Sequence, residues 1–226
     1  MSDARQRIID RVRLGLAAHA GDDLRRARVE ERLRLHGRGP APSRASGDAR
    51  ALRQLFLRMV EASGATLAVV GTVGELPRAV ADYLRGCNLG LSVRMGGDPL
   101  LAAVSWTAEP ALAVSHGAAR PDDEAGLSVA THGVAETGTL VLASGADNPT
   151  TLNFLPETHI VVLPTSRLSA TYEDAWDSLR AHFGKTALPR VVNLITGPSR
   201  TADIEQTLLM GAHGPRRVHV ILIEDT

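Results

Sequence analysis

Two nearly continuous aliphatic runs, Ile160-Val161-Val162-Leu163 and Val218-His219-Val220-Ile221-Leu222-Ile223, constrain this chain more than any other feature. A strand with one wet face alternates apolar and polar residues. A run that is apolar at almost every position has to be covered on both faces, as in the middle of a parallel sheet flanked by helices. From Thr66 onward, short aliphatic runs bounded by Gly or Pro alternate with helical stretches. The spacing predicts strands over 66–70, 89–95, 111–115, 127–134, 139–143, 159–163, 191–195 and 218–223, and helices over 77–84, 172–183 and 202–210. That alternation defines an α/β chain.

The first part of the chain reads differently. Residues 4–18 place Ile8, Ile9, Val12, Leu14 and Leu16 among Arg and Asp. Residues 22–35 place Leu24, Val29, Leu33 and Leu35 among Arg and Glu, with Asp22 and Asp23 as cap and first-turn acids, so two amphipathic helices are expected. A Gly/Pro/Ser stretch from Gly37 to Ser43 then serves as a linker before a helix that begins at Asp48 and carries Leu52, Leu55, Phe56 and Met59. The expected organisation is a helical arm over 1–46 and an α/β domain over 47–226. Charge follows the same division: residues 1–50 hold 12 Arg against 7 acids, and the rest of the chain carries the compensating negative excess.

Composition excludes several classes. No apolar stretch reaches the roughly 18 residues needed to span a bilayer, and the N-terminus has no apolar leader core, so a cytoplasmic protein is expected. A single cysteine, Cys87, cannot hold an iron–sulfur cluster or a Cys-rich zinc site, and no His pair has metal-binding spacing, so no metal is expected in this chain. Nucleic-acid binding by the Arg-rich arm is not expected, because five acids interleave with its Arg residues between 22 and 48 and no aromatic residue is present to stack on bases.

Three familiar motifs fail on inspection. Gly184-Lys185-Thr186 imitates the end of a phosphate-binding loop, but Leu179 stands where the first Gly is required and a helix precedes it. Gly197-Pro198-Ser199-Arg200-Thr201 imitates a nucleophile elbow, but its last position is Thr. No G-x-G-x-x-G follows any strand, which removes the dinucleotide fingerprint.

Three other segments carry information. In Gly133-Val134-Ala135-Glu136-Thr137-Gly138-Thr139, Glu136 interrupts two strand-like runs and Gly138 permits positive φ; a hairpin turn with a solvated carboxylate is the plain reading. In Ile195-Thr196-Gly197-Pro198-Ser199-Arg200-Thr201-Ala202-Asp203-Ile204-Glu205, a strand is expected to end and a helix to begin. Such a junction would offer backbone N–H groups to an anion, with Arg200 as a carboxylate or phosphate clamp and Ser199 or Thr201 as cap, although Asp203 and Glu205 would already compensate the helix dipole. Gly211-Ala212-His213-Gly214-Pro215 reads as a helix stop and turn, with His213 either a hydrogen-bonded cap or a proton carrier.

Taken together with Leu155-Pro156-Glu157-Thr158-His159-Ile160-Val161, these ordered motifs resemble the LUD-domain proteins of lactate utilisation, the LutC type, over roughly residues 48–226. The resemblance implies a Rossmann-like α/β sheet related to the sugar-phosphate isomerase and CoA-transferase superfamily. It also implies a non-redox subunit in a system oxidising L-lactate to pyruvate, with the iron–sulfur clusters on partner subunits, none on this chain, and a small carboxylate or anionic ligand. The alternative is a stand-alone enzyme of the CoA-transferase or sugar-phosphate isomerase type using Glu136 as acid/base or covalent carboxylate. The candidate site is Glu136 and His213 as catalytic groups with Thr137, Gly138, Thr139, Gly197, Ser199, Arg200 and Thr201 as ligand-binding groups, all expected in one pocket at the carboxyl ends of the strands.

Overall fold

A computed structural model describes residues 2–17, 23–40, 42–184, 187–204, 207–211 and 213–224; the side chains of 2, 3, 17, 201–204 and 207–210 lie outside the description. The chain divides into Met1–Pro40 and Ala41–Thr226. The first part holds α1 (Ser2–Ala17) and α2 (Asp23–Leu35), whose Ile8, Val12, Leu16, Leu24 and Leu33 are exposed. Asp22 lies outside the described residues, whereas Asp23 stands in the first turn of α2. Among the described residues no helix is long and apolar enough to cross a membrane.

The second part is built on a six-stranded sheet of β1 (Thr66–Val70), β2 (Ser92–Met95), β3 (Ala113–His116), β4 (Ala125–Val129), β7 (Thr158–Pro164) and β12 (Arg217–Ile223). Its order is β1-β12-β7-β4-β2-β3 and every pairing in it is parallel. The aliphatic runs 160–163 and 218–223 thus lie in adjacent central strands, with Val220 opposite Val161 and Leu222 opposite Leu163. Side chains along β7 alternate between two cores, as the strand period requires. Ile160 and Val162 pack with Leu76, Val80 and Leu84 of α4 (Leu76–Gly86). On the other face, Val161 and Leu163 pack with Leu55, Phe56 and Val60 of α3 (Ala49–Ala62) and with Leu140 and Leu142. Asp48 caps α3 by accepting the N–H of Ala51 at 2.8 Å.

Leu140 and Leu142 belong to a second sheet, ordered β8-β5-β6-β9 from β5 (His132–Val134), β6 (Thr139–Ala143), β8 (Leu168–Ser169) and β9 (Val192–Ile195). After two single-turn helices, α5 (Pro99–Ala102) and α6 (Thr151–Phe154), comes α7 (Tyr172–Phe183), whose Ala175 and Leu179 pack on the far face of this sheet through Val134 and Val141. The layers therefore run α4, central sheet, then α3 with the small sheet, then α7.

Two expected elements differ. The single strand expected over 127–134 is two strands in two sheets. Ala130 N–H still bonds to Val162 of the central sheet at 2.9 Å, while Thr131 N–H bonds to Val141 of the small sheet at 2.8 Å, so the chain changes sheets between them. The helix expected over 202–210 is an antiparallel pair, β10 (Arg200–Ile204) and β11 (Thr207–Met210). An apolar run this short fits both periods, and β-branched Thr201, Ile204 and Thr207 favour extended backbone. The anion-binding helix N-terminus expected after Pro198 is therefore absent.

Candidate functional site

The Glu136–Thr139 turn is buried architecture. Glu136 is 4% exposed. Its backbone N–H donates to the Ala170 carbonyl at 3.1 Å, and its Oε1 accepts the N–H of Tyr172, the first residue of α7, also at 3.1 Å. A carboxylate at that position satisfies a free helix N–H and complements the positive dipole end. Thr171 and Asp174 complete the cap reciprocally.

Beside Glu136 four hydroxyls share one network. Thr139 Oγ1 lies 2.7 Å from Thr137 Oγ1, 2.7 Å from Tyr172 Oη and 2.6 Å from Thr196 Oγ1. One hydroxyl has one proton and two lone pairs, so these three contacts saturate Thr139. Gly138, at φ +69°, sits so close to α3 that a Cβ there would lie 2.6 Å from the Val60 nitrogen, and a Cβ on Gly197, at φ +75°, would lie 2.5 Å from the Ser63 carbonyl oxygen. The turn, the end of β9 and the beginning of α7 are thereby bolted to the last turn of α3.

The structure brings Glu136, Thr137, Gly138, Thr139 and Gly197 into this assembly and places the rest differently. Ser199 N–H donates to the Pro215 carbonyl at 2.8 Å, and the backbone N–H of exposed His213 lies 3.4 Å from Ser199 Oγ. The Arg200 guanidinium lies over Gly64, just past the C-terminus of α3, where a cation complements the helix dipole. Among the described residues Glu136 makes no hydrogen bond or ion pair with Ser199, Arg200 or His213. The side chain of Thr201 lies outside the described residues. Ser199, Arg200 and His213 also stand at the amino edge of the central sheet, next to the residues that enter β1 and β12. Their expected position at the carboxyl edge is corrected by the pairing of β9, which runs antiparallel to β6 in the small sheet.

The carboxyl edge holds a different feature, a crevice of about 850 Å³. It is lined by Asp98 and Pro99 after β2, Val129 at the end of β4 and Thr131 beyond it, His132 of β5, the Ser144–Asn148 loop after β6, Arg167 after β7, and His182 of α7. Arg167 is fixed on the wall by an Nη1–H bond to the Ala130 carbonyl at 3.1 Å. Burial first, then the charges of Arg167 and His182, hold the His132 imidazolium below its ordinary range. No sequence motif singles these residues out; the available signal is polar His132 inside an apolar run, followed after β7 by Arg167.

An open parallel sheet covered on both faces, with a crevice at its carboxyl edge, defines a Rossmann-like α/β protein. Residues 122–223 match the LUD domain. The chain is 32% identical over 174 residues to lactate utilization protein C of Geobacillus kaustophilus, covering 73% of this chain and 70% of that protein. It is 39% identical over 93 residues to lactate utilization protein C of Bacillus subtilis, 41% of this chain and 39% of that one. A crystal structure of a DUF162 family protein from Deinococcus radiodurans superposes with a TM-score of 0.59 at 21% identity, covering 79% of this chain and 99% of that one, and so shares the fold. The chain belongs to the LUD-domain family that includes lactate utilization protein C.

Proposed function

We propose that this chain serves lactate utilisation as a non-redox subunit in the cytoplasm, binding a small carboxylate or related anion and working beside iron–sulfur partner subunits that carry the electrons. The observation that supports this most is the likeness to lactate utilization protein C across nearly three quarters of the chain. The donor set agrees with the division of labour. The sequence has one cysteine, Cys87, too few thiolates to ligate an iron–sulfur cluster within the chain. The alternative, a stand-alone transferase or isomerase using Glu136, gains no support from geometry, because that carboxylate is buried and one of its oxygens is committed to the Tyr172 N–H. The motif residues Glu136–Thr139 and Gly197 act in this reading as the frame that holds α7 and the small sheet in register. Ser199, Arg200 and His213 stand at the amino edge of the central sheet, with the Arg200 guanidinium beside the same end of α3.

Purification of the tagged full-length chain from lactate-grown cells tests the partnership. The expected result is a co-purifying subunit with stoichiometric iron and visible absorbance; a chain that elutes alone and iron-free from such cells contradicts it.

A further inference from the structure

The carboxyl-edge crevice has a charge layout that the family likeness leaves unassigned. One wall is cationic: the Arg167 guanidinium is tethered to the Ala130 carbonyl, with His132 beside it and His182 at the rim. His132 Nδ1 is buried and has no hydrogen-bond partner. A proton there would be an unsatisfied buried donor, which is costly, so the ring places its single proton on Nε2. The charges of Arg167 and His182 favour the same neutral form. A neutral imidazole with Nε2–H is a donor toward an anion, and Arg167 supplies the fixed charge and a forked set of N–H groups.

The opposite wall is acidic. Asp98 accepts the N–H of Leu100 at 2.9 Å, which fixes its carboxylate at the start of a short helical turn. The exposed Asp147 lies on a loop whose backbone presses against Gly96, so closely that a Cβ on Gly96 would overlap the Asp147 carbonyl. The loops after β2 and β6 are thus locked together, and in the sheet order β4 separates β2, which Asp98 follows, from β7, which Arg167 follows, so the acids and Arg167 line the crevice on opposite sides of β4. Carboxylates in that position accept hydrogen bonds from hydroxyl groups. A cavity of about 850 Å³ is in the range of sites for cofactor-sized and drug-sized ligands, and a three-carbon acid would leave most of it to water.

We propose that this crevice is a polarised receptor in which Arg167 and His132 hold the carboxylate or phosphate of a ligand larger than lactate, while Asp98 and Asp147 receive hydroxyl groups at its far end. The proposal rests on the reading that this chain binds an anionic ligand, and adds where it binds, its polarity and its size. Normal growth on lactate without the chain would overturn its metabolic role and leave this receptor standing.

Calorimetric titration of the full-length chain at neutral pH with four probes tests it: L-lactate, inorganic phosphate, gluconate and glucose 6-phosphate. The expected result is saturable binding of gluconate or glucose 6-phosphate about tenfold tighter than of lactate or phosphate, the better of the two showing whether the anion is carboxylate or phosphate. Arg167→Ala should weaken that binding by at least about tenfold, the loss of a charge-assisted hydrogen bond. Arg167→Lys should recover part of it, and the double variant Asp98→Ala, Asp147→Ala should erase the polyol advantage while leaving phosphate unchanged. Thermal midpoints identify variants that fail to fold, and His132→Gln supplies a second wall variant. The proposal is overturned if no probe binds at millimolar concentration, if lactate binds as tightly as the polyol anions, or if folded Arg167 and His132 variants bind like the parent.

Discussion

Glu136 Oε1 accepts the backbone N–H of Tyr172 at 3.1 Å, which makes a buried carboxylate the partner of the first free N–H group of α7. Glu136→Ala leaves that N–H buried without an acceptor and should lower stability by about 2 kcal/mol. Glu136→Gln keeps an acceptor oxygen and loses only the charge facing the helix dipole, about 1 kcal/mol. Urea unfolding checks both. Unchanged midpoints in the two variants would mean that the carboxylate has no capping role.

The glycines of the same assembly give a graded test. Gly138→Ala and Gly197→Ala combine a positive φ with a Cβ pressed against α3 backbone, and each should cost about 2–4 kcal/mol. Gly86, at the end of α4, has open space where a Cβ would lie, and Gly86→Ala should stabilise by about 0.5 kcal/mol. Denaturant midpoints that rank the three variants otherwise would show that the turn is not packed on α3 as described.

Much of the fold was legible because the middle strands of the central sheet, β7 and β12, are apolar at nearly every position and buried on both faces. The expected 66–70 strand and 172–183 helix coincide with β1 and α7, and β7 and β12 extend the expected runs by one or two residues. Sheet membership was not legible. Residues 127–134 read as one strand since nothing in the side chains marks the point where the backbone changes partner, from Val162 to Val141. The same gap displaced the site. The carboxyl-end rule holds for strands of the open parallel sheet, and β9 looks like one by composition yet pairs antiparallel with β6, so the segment after it emerges at the opposite edge. Helix and strand periods are indistinguishable over 202–210. The crevice residues were missed because Arg167, His132 and His182 come from three separate elements and meet only in the folded chain.

Two buried histidines should set the acid limb of stability. His159, on β7, is fully buried, with Nε2 at 3.1 Å from Ser128 Oγ, and burial pushes its pKa down to about 3. His219, stacked on Tyr83 at 3.8 Å and hydrogen-bonded to Thr66 at 2.8 Å, is pushed down to about 4 by burial. In the unfolded chain both rings take a proton near 6.5. Below that pH the unfolded state therefore binds more protons than the folded one. Stability is complete above about pH 6.5 and falls with pH toward 4, by up to about 1.4 kcal/mol per pH unit for each ring. Urea midpoints at pH 7, 6 and 5 should decline accordingly, and more shallowly in folded His159→Gln and His219→Gln variants. A flat profile between pH 7 and 5 would contradict the buried neutral rings.

The helical arm should be separable from the α/β part. A 47–226 fragment is expected to unfold cooperatively, because among the described residues the three hydrophobic cores of the α/β part draw their members from Leu52 onward. Circular dichroism during heating checks this; a broad, non-cooperative transition would make the arm part of the folding unit.

The most direct test of the central claim is growth of the native host, with this gene deleted and no second lactate oxidase present, on L-lactate or pyruvate as sole carbon source. The deletion should abolish growth on lactate and leave growth on pyruvate intact, and a plasmid copy of the full chain should restore growth on lactate. Undiminished growth on lactate without the gene would contradict it.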